Sequence, residues 1–251
     1  MAKITSSLRT HWRHLLMIII VVGSFALMMS LKHLEQPLEY HNFADRRAFF
    51  GIPNFLDVAS NFAFLVVGFV GLWICFKNRL GNMRKAWIVL FAGITLVSVG
   101  SAYYHFDPNN QTLVWDRLPM TIGFMGLLAA ILGEYISERL GSILLAPMLL
   151  LGFSSVVYWH WSDDLRFYIW VQTASLLIIP IVMILYRPTY SHQWLLLAGL
   201  GWYALAKVAE LADGQIFILS QGLISGHTVK HLLSALGCLT IVLMLQKRKF
   251  I

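Results

Sequence analysis

The chain has 251 residues, 58% of them hydrophobic and only 12% charged, with a mean hydropathy of +0.69. Average soluble domains carry about one-quarter charged residues, so a water-soluble core cannot absorb this much apolar surface. The formal charge of +7 does not build a nucleic-acid surface either, because the Lys and Arg sit in short clusters between apolar stretches, which reads as an orientation signal.

Stretches of about 17 to 22 nearly uncharged residues recur along the chain and match the ~20 residues a helix needs to cross ~30 Å of hydrocarbon. In chain order they predict membrane helices near 15–31, 55–76, 86–105, 117–133, 141–159, 166–186, 193–211 and 226–246. The expected architecture is an all-α integral membrane protein in one transmembrane domain, 1–251. It comprises a seven-helix core over 53–246 and one additional N-terminal transmembrane helix over 15–31. Lys3, Arg9 and Arg13 precede the first span, which reads as an uncleaved signal anchor, with Ser24 and Ala26 offering only a weak cleavage site.

Orientation follows from the basic residues. The N-terminal tail holds three, the 77–85 connection four and the C-terminal tail three; with Arg139 and Arg187 these make twelve on one side of the bilayer. Lys32, Arg46, Arg47, Arg117 and Arg166 make five on the other. The positive-inside rule places both termini in the cytoplasm; in a bacterial cell the membrane would be the inner one. The 32–54 connection is then outside, as is 212–225, whose mild polarity suits a short interfacial segment. Cys75 and Cys238 lie in apolar spans without CxxC spacing and read as buried thiols.

Two segments place a histidine one helical turn from another polar group: Ser101 to His105 in SAYYH, and His227 to His231 in HTVKH. Residues four apart share a helix face. Asp116 stands between them in sequence, in VWDRLP, at the predicted head of the fourth helix. The third span ends outside while the fourth and eighth begin there, so all five residues fall on one side of the membrane. Ionisable groups retained in membrane helices face a polar cavity and have a partner. Three imidazoles with one open position describe a catalytic zinc centre, whereas structural zinc sites are closed by four ligands. Each piece has a plainer reading: a lone helix histidine, Asp116 as a helix cap, Ser101 bonded back to its own backbone.

The ordered set SxxxH, Asp, HxxxH resembles the alkaline ceramidase family, part of the CREST group of seven-helix membrane proteins. PNFLDVASN, with Ser60 and Asn61, is similar to that family as well. The resemblance covers about residues 40–246 and suggests a bacterial-type member. It implies a Zn2+ ion held by His105, His227 and His231, with Asp116 and Ser101 beside it as catalytic residues. It also implies a membrane lipid as substrate: ceramide or another N-acyl lipid, cleaved at its amide. The acidic calcium-binding segment of animal ceramidases is poorly matched by HNFADRR, where Arg46 and Arg47 follow Asp45, so calcium is not carried over.

Three rivals stay open at this level: a lipid esterase with the same metal chemistry, a receptor-like zinc protein of the same group without significant turnover, and a metal transporter. The last calls for polar groups at several depths, and here they gather near one surface apart from Lys207 and Glu210. Those two are three residues apart and are expected to pair. Asp57 and Asn61, four apart near the outer end of the first core helix, have two readings, a structural role and, as the lesser of the two, a hydrogen bond to a ligating imidazole. His11, His14, His33, His41, His160 and His192 fall in tails, connections or helix ends. Trp115, Trp159, Trp161 and Trp194 flank spans as interfacial aromatics do.

Overall fold

A computed structural model describes residues 2–78 and 80–251, with side chains from residue 11 onward. Arg79 and the side chains of Lys3 and Arg9, which enter the orientation count, lie outside the described residues. Among the described residues eight helices are long and apolar enough to cross a membrane. The helices are α1 (Ala2–Ser30), α2 (Phe55–Ser60), α3 (Phe62–Lys77), α4 (Arg84–Phe106), α5 (Asn110–Tyr135), α6 (Glu138–Ser162), α7 (Arg166–Leu185), α8 (Trp194–Leu211), α9 (Asp213–Leu219) and α10 (Gly226–Lys247). The short α2 and α3 meet at Asn61 and together make one span. The 212–225 connection, expected to lie along the interface, contains α9, and Leu219 at its end and Leu223 beyond it are exposed. Exposed apolar side chains such as Trp73, Val99 and Ile184 stud the spans, as a lipid-facing surface requires.

The central helix is α5, with 72% of its most apolar window buried, against 6% for α1. Its approach to α4 is set by small residues, since packing in lipid rewards close backbone contact. A methyl group on Gly93 would stand 2.9 Å from the Gly123 Cα, nearer than side chains approach. Pro119 has no N–H to give the Trp115 carbonyl four residues back, and that carbonyl faces Gly100, where a side chain would collide with it. The last turns of α4 are thereby pressed against the first turns of α5.

The fourth span differs from its predicted start at 117. Its helix begins at Asn110, because Asn109 and Thr112 form a capping box: Asn109 Oδ1 accepts from the Gln111 and Thr112 N–H groups, and Thr112 Oγ1 accepts from the Asn109 N–H. Hydropathy missed these turns because five of the eight residues of NQTLVWDR are polar, while the cap signal lay in Asn109 just before it and Thr112 within it.

At the opposite end of the bundle Glu134 is held by Arg248 at 2.7 and 2.8 Å and by the Trp87 indole N–H at 2.7 Å, and its carbonyl accepts from Thr189. This ties α4, α5 and the end of α10 together. The peripheral α1 lies along α7, where the Trp170 indole donates to Ser24 Oγ. Arg166 donates to the Met29 and Leu31 carbonyls just past the end of that contact. The same guanidinium holds the Asp164 carboxyl well below its ordinary range.

Candidate functional site

The end of α4 and the start of α10 supply the three histidines. On α10, Ser225 caps the helix by accepting from the Thr228 N–H, and Asp213 accepts from the His227 N–H at 2.7 Å, so the first turn is fixed from two sides. On α4, Asn54 donates from Nδ2 to the His105 carbonyl at 2.8 Å, and its own backbone takes the left-handed conformation (φ 47°) needed to turn the chain into α2.

His105, His227 and His231 are all buried. Their ring centroids form a nearly equilateral triangle with sides of 4.7, 4.9 and 4.9 Å. One ring nitrogen from each lies within 4.8 Å of the other two. His105 Nε2 and His227 Nε2 are 3.2 Å apart; ligands at ~2.0–2.1 Å in tetrahedral array are themselves ~3.3 Å apart. His231 Nε2 has no hydrogen-bond partner among the described residues. The donor set therefore fits a metal ion, and an all-imidazole set suits zinc and its transition-metal neighbours.

The side chains of Asp57 and Asn61 take the structural role: Asp57 Oδ1 accepts from Thr228 Oγ1 at 2.5 Å and Ser225 Oγ at 3.2 Å, fastening α2 to α10, and Asn61 donates to the Asp57 carbonyl. The group at the imidazole is Ser60, whose Oγ is 2.7 Å from His231 Nδ1. Spacing was the available signal, and the bend at Asn61 shifted which residue faces inward.

The 32–54 connection folds over the cluster. His41, one of the histidines expected to need no explanation, has both ring nitrogens engaged, with the Tyr104 hydroxyl and Asn110 Oδ1, each at 2.9 Å. Phe43 packs at a tilt against His105 and His227, with centroids 4.7 and 4.4 Å away. Beside it the Arg47 guanidinium, 2.7 Å from Asp45, holds that carboxyl below its ordinary range.

Asp116 and Ser101 line one cavity together with His231. Because α5 starts at Asn110, Asp116 lies well inside the helix, and the reading of this residue as a cap falls away. The cavity, about 170 Å³, is also lined by Tyr203, Lys230 and Ser234; the rest of its lining is apolar and reaches Leu127, Cys238 and Ile241. At 1.5 Å per residue that is ~15 Å along α5 and α10. A second cavity of about 250 Å³ adjoins it and shares Asp116, Met120, Tyr203, Lys230 and Ser234. It is lined with polar groups, and Lys207 and Glu210 pair there as expected; Lys230 joins them, 3.0 Å from Glu210 and 3.3 Å from His227 Nε2. Lys230 was passed over in the sequence, although a lysine between two inward-facing histidines in an apolar span is itself a signal.

The fold and the site define a multi-pass helical membrane protein with a buried three-imidazole cluster able to hold a metal ion. A family model described as Ceramidase matches residues 50–249; the chain belongs to the ceramidase family. Searches of curated proteins and of solved structures found no match. Membership implies a hydrolase acting on a lipid in a membrane, and the matched span leaves α1 outside it.

Proposed function

We propose that the protein is a zinc-dependent intramembrane amidase that cleaves ceramide or a related N-acyl lipid into a fatty acid and an amine. The observation that carries this reading is the position of Asp116, which lines both a largely apolar cavity shared with His231 and a more polar one beside it. Such a position suits a bond with a hydrocarbon chain on one side and a polar amine portion on the other.

His105, His227 and His231 would hold the ion, which supplies Lewis acidity toward an amide carbonyl and toward a water molecule beside it. The chain's own residues do the rest. The apolar cavity takes the acyl chain and excludes water along it. Asp116 accepts the proton of the attacking water and passes it to the amide nitrogen as the C–N bond breaks, so that the amine leaves neutral. Ser101, one turn deeper than His105, donates its hydroxyl proton in a hydrogen bond to the carbonyl oxygen as charge grows there.

The test is metal content and fatty-acid release measured together on one N-acyl lipid panel. The purified protein is expected to carry about one zinc per chain and to release fatty acid, and removal of metal is expected to stop release. The His227→Ala, His231→Ala double variant is expected to hold no tightly bound zinc. Full zinc occupancy in that variant would overturn the metal site, and release of alcohol from esters with no cleavage of amides would make the protein an esterase.

A further inference from the structure

The second cavity has a chemistry of its own. Arg117 lines it and is buried, 6% exposed. Its guanidinium lies over the Trp159 ring at 4.0 Å and near the Tyr168 ring at 4.7 Å, and Nη2 donates to Gln36 Oε1 at 2.5 Å. Trp159, expected at the membrane interface, is instead buried beneath this arginine. The remaining terminal nitrogen, Nη1, has no hydrogen-bond partner among the described residues. None of the ion pairs among those residues involves Arg117. Burying a guanidinium without a counter-ion is costly, and these two rings with the more distant Tyr40 ring, 5.9 Å away, offset only part of that cost.

The other charged groups lining the cavity are Lys207, Lys230, Glu210 and Asp116. The two lysines share one carboxylate, Glu210. With Arg117 the lining holds three cations and two carboxylates, and its positive excess sits where the leaving amine portion would lie.

We infer that this cavity is a subsite for an anionic group, carboxylate, sulfonate or phosphate, on the amine portion of the substrate, with Arg117 as its specificity-determining residue. The inference rests on the amidase reading above and narrows it: the preferred substrate is an acidic N-acyl lipid. A planar guanidinium held over aromatic rings and by Gln36 presents its free N–H edge in a fixed direction, as recognition of an oxyanion requires.

The experiment compares N-palmitoyltaurine with N-palmitoylethanolamine, using the full chain in vesicles of phosphatidylcholine alone. The kcat/KM ratio is expected to favour the taurine amide by about tenfold or more, the scale of one charge-assisted hydrogen bond. Arg117→Gln is expected to bring that ratio close to one, and Arg117→Lys to restore part of it. A wild-type ratio of one or below overturns the subsite, as does an unchanged ratio in an Arg117→Gln protein that keeps its melting temperature. If Arg117→Gln does not fold, inhibition of the wild-type enzyme by free taurine decides: inhibition supports the subsite and its absence overturns it. Equal inhibition by inorganic phosphate and by taurine, with no preference between the two amides, would mark a free-anion site and overturn the assignment to substrate. Should neither amide be cleaved, equilibrium binding separates the two ideas. Selective binding of N-palmitoyltaurine keeps the subsite and leaves the amidase reading to the N-acyl lipid panel, whereas binding without charge preference removes the subsite.

Discussion

Ser60 Oγ stands 2.7 Å from His231 Nδ1 and 3.0 Å from the Asp57 carbonyl. A hydroxyl has one proton to give; directed at the carbonyl, it leaves Oγ to accept from Nδ1–H, and the lone pair of His231 falls on Nε2, the nitrogen without a partner. Groups that fix the tautomer of a ligating histidine contribute about 10–100-fold to metal affinity. Ser60→Ala is expected to fold and to lose zinc to a competing chelator at 10–100-fold lower chelator concentration. Equal retention of zinc by the variant and the wild type would show that Ser60 does not orient the ring.

How much of this was legible in the sequence depended on range. The eight spans were visible because hydropathy is local and the bilayer sets their length. The histidines were legible because four-residue spacing fixes a helix face and alternation of spans fixes the side. Ser60 stood out only by resemblance and its contact with His231 was not legible, because a bend at Asn61 separates α2 from α3 and rotates the inward face. Arg117 was counted only as a basic residue at the outer end of the fourth span, although the Asn109 capping box carries α5 past it and Arg117 is buried against Trp159. The role of the 32–54 connection as a cover was also beyond local reading, since His41 finds Tyr104 and Asn110 across more than sixty residues.

Orientation is open to direct measurement. Twelve basic residues against five favour cytoplasmic termini, which would put the His105 end of the bundle at the outer face. A cysteine at Asn82, in the basic connection between α3 and α4, is expected to resist membrane-impermeant maleimide in intact cells, whereas one at Glu39 is expected to react. The reverse pattern would place the site at the cytosolic face.

Gly123 lies seven residues beyond Asp116, ~10 Å along α5, and lines the apolar cavity. A Cβ there would meet nothing nearer than Leu90, at 3.8 Å, so a larger side chain can be accommodated by the backbone and would fill the cavity space. Each methylene kept out of the cavity forfeits ~0.8 kcal/mol, about fourfold in affinity. Gly123→Leu is therefore expected to shift selectivity from N-palmitoyl toward N-octanoyl substrates by about tenfold or more in the kcat/KM ratio. An unchanged chain-length profile in the folded variant would show that the acyl chain lies elsewhere.

Asp116 separates chemistry from structure most cleanly. Its position inside α5 removes capping as its reason to be there, because Asn109 already caps the helix. What is left is a buried carboxylate in a cavity with Ser101 and His231, at the border of the polar chamber. Asn has the same shape and still accepts a hydrogen bond, but it cannot take a proton from water at neutral pH. If Asp116 carries the proton from the attacking water to the leaving nitrogen, Asp116→Asn is expected to keep its melting temperature and its zinc while kcat falls by about 10²–10⁴-fold. KM would change little, because the acyl and amine portions keep their contacts. Loss of zinc together with activity would instead make Asp116 part of the metal's support. Near-normal turnover on a proven substrate would end the proton-carrier role and leave the carboxylate with only an electrostatic one, toward Lys230 and Arg117.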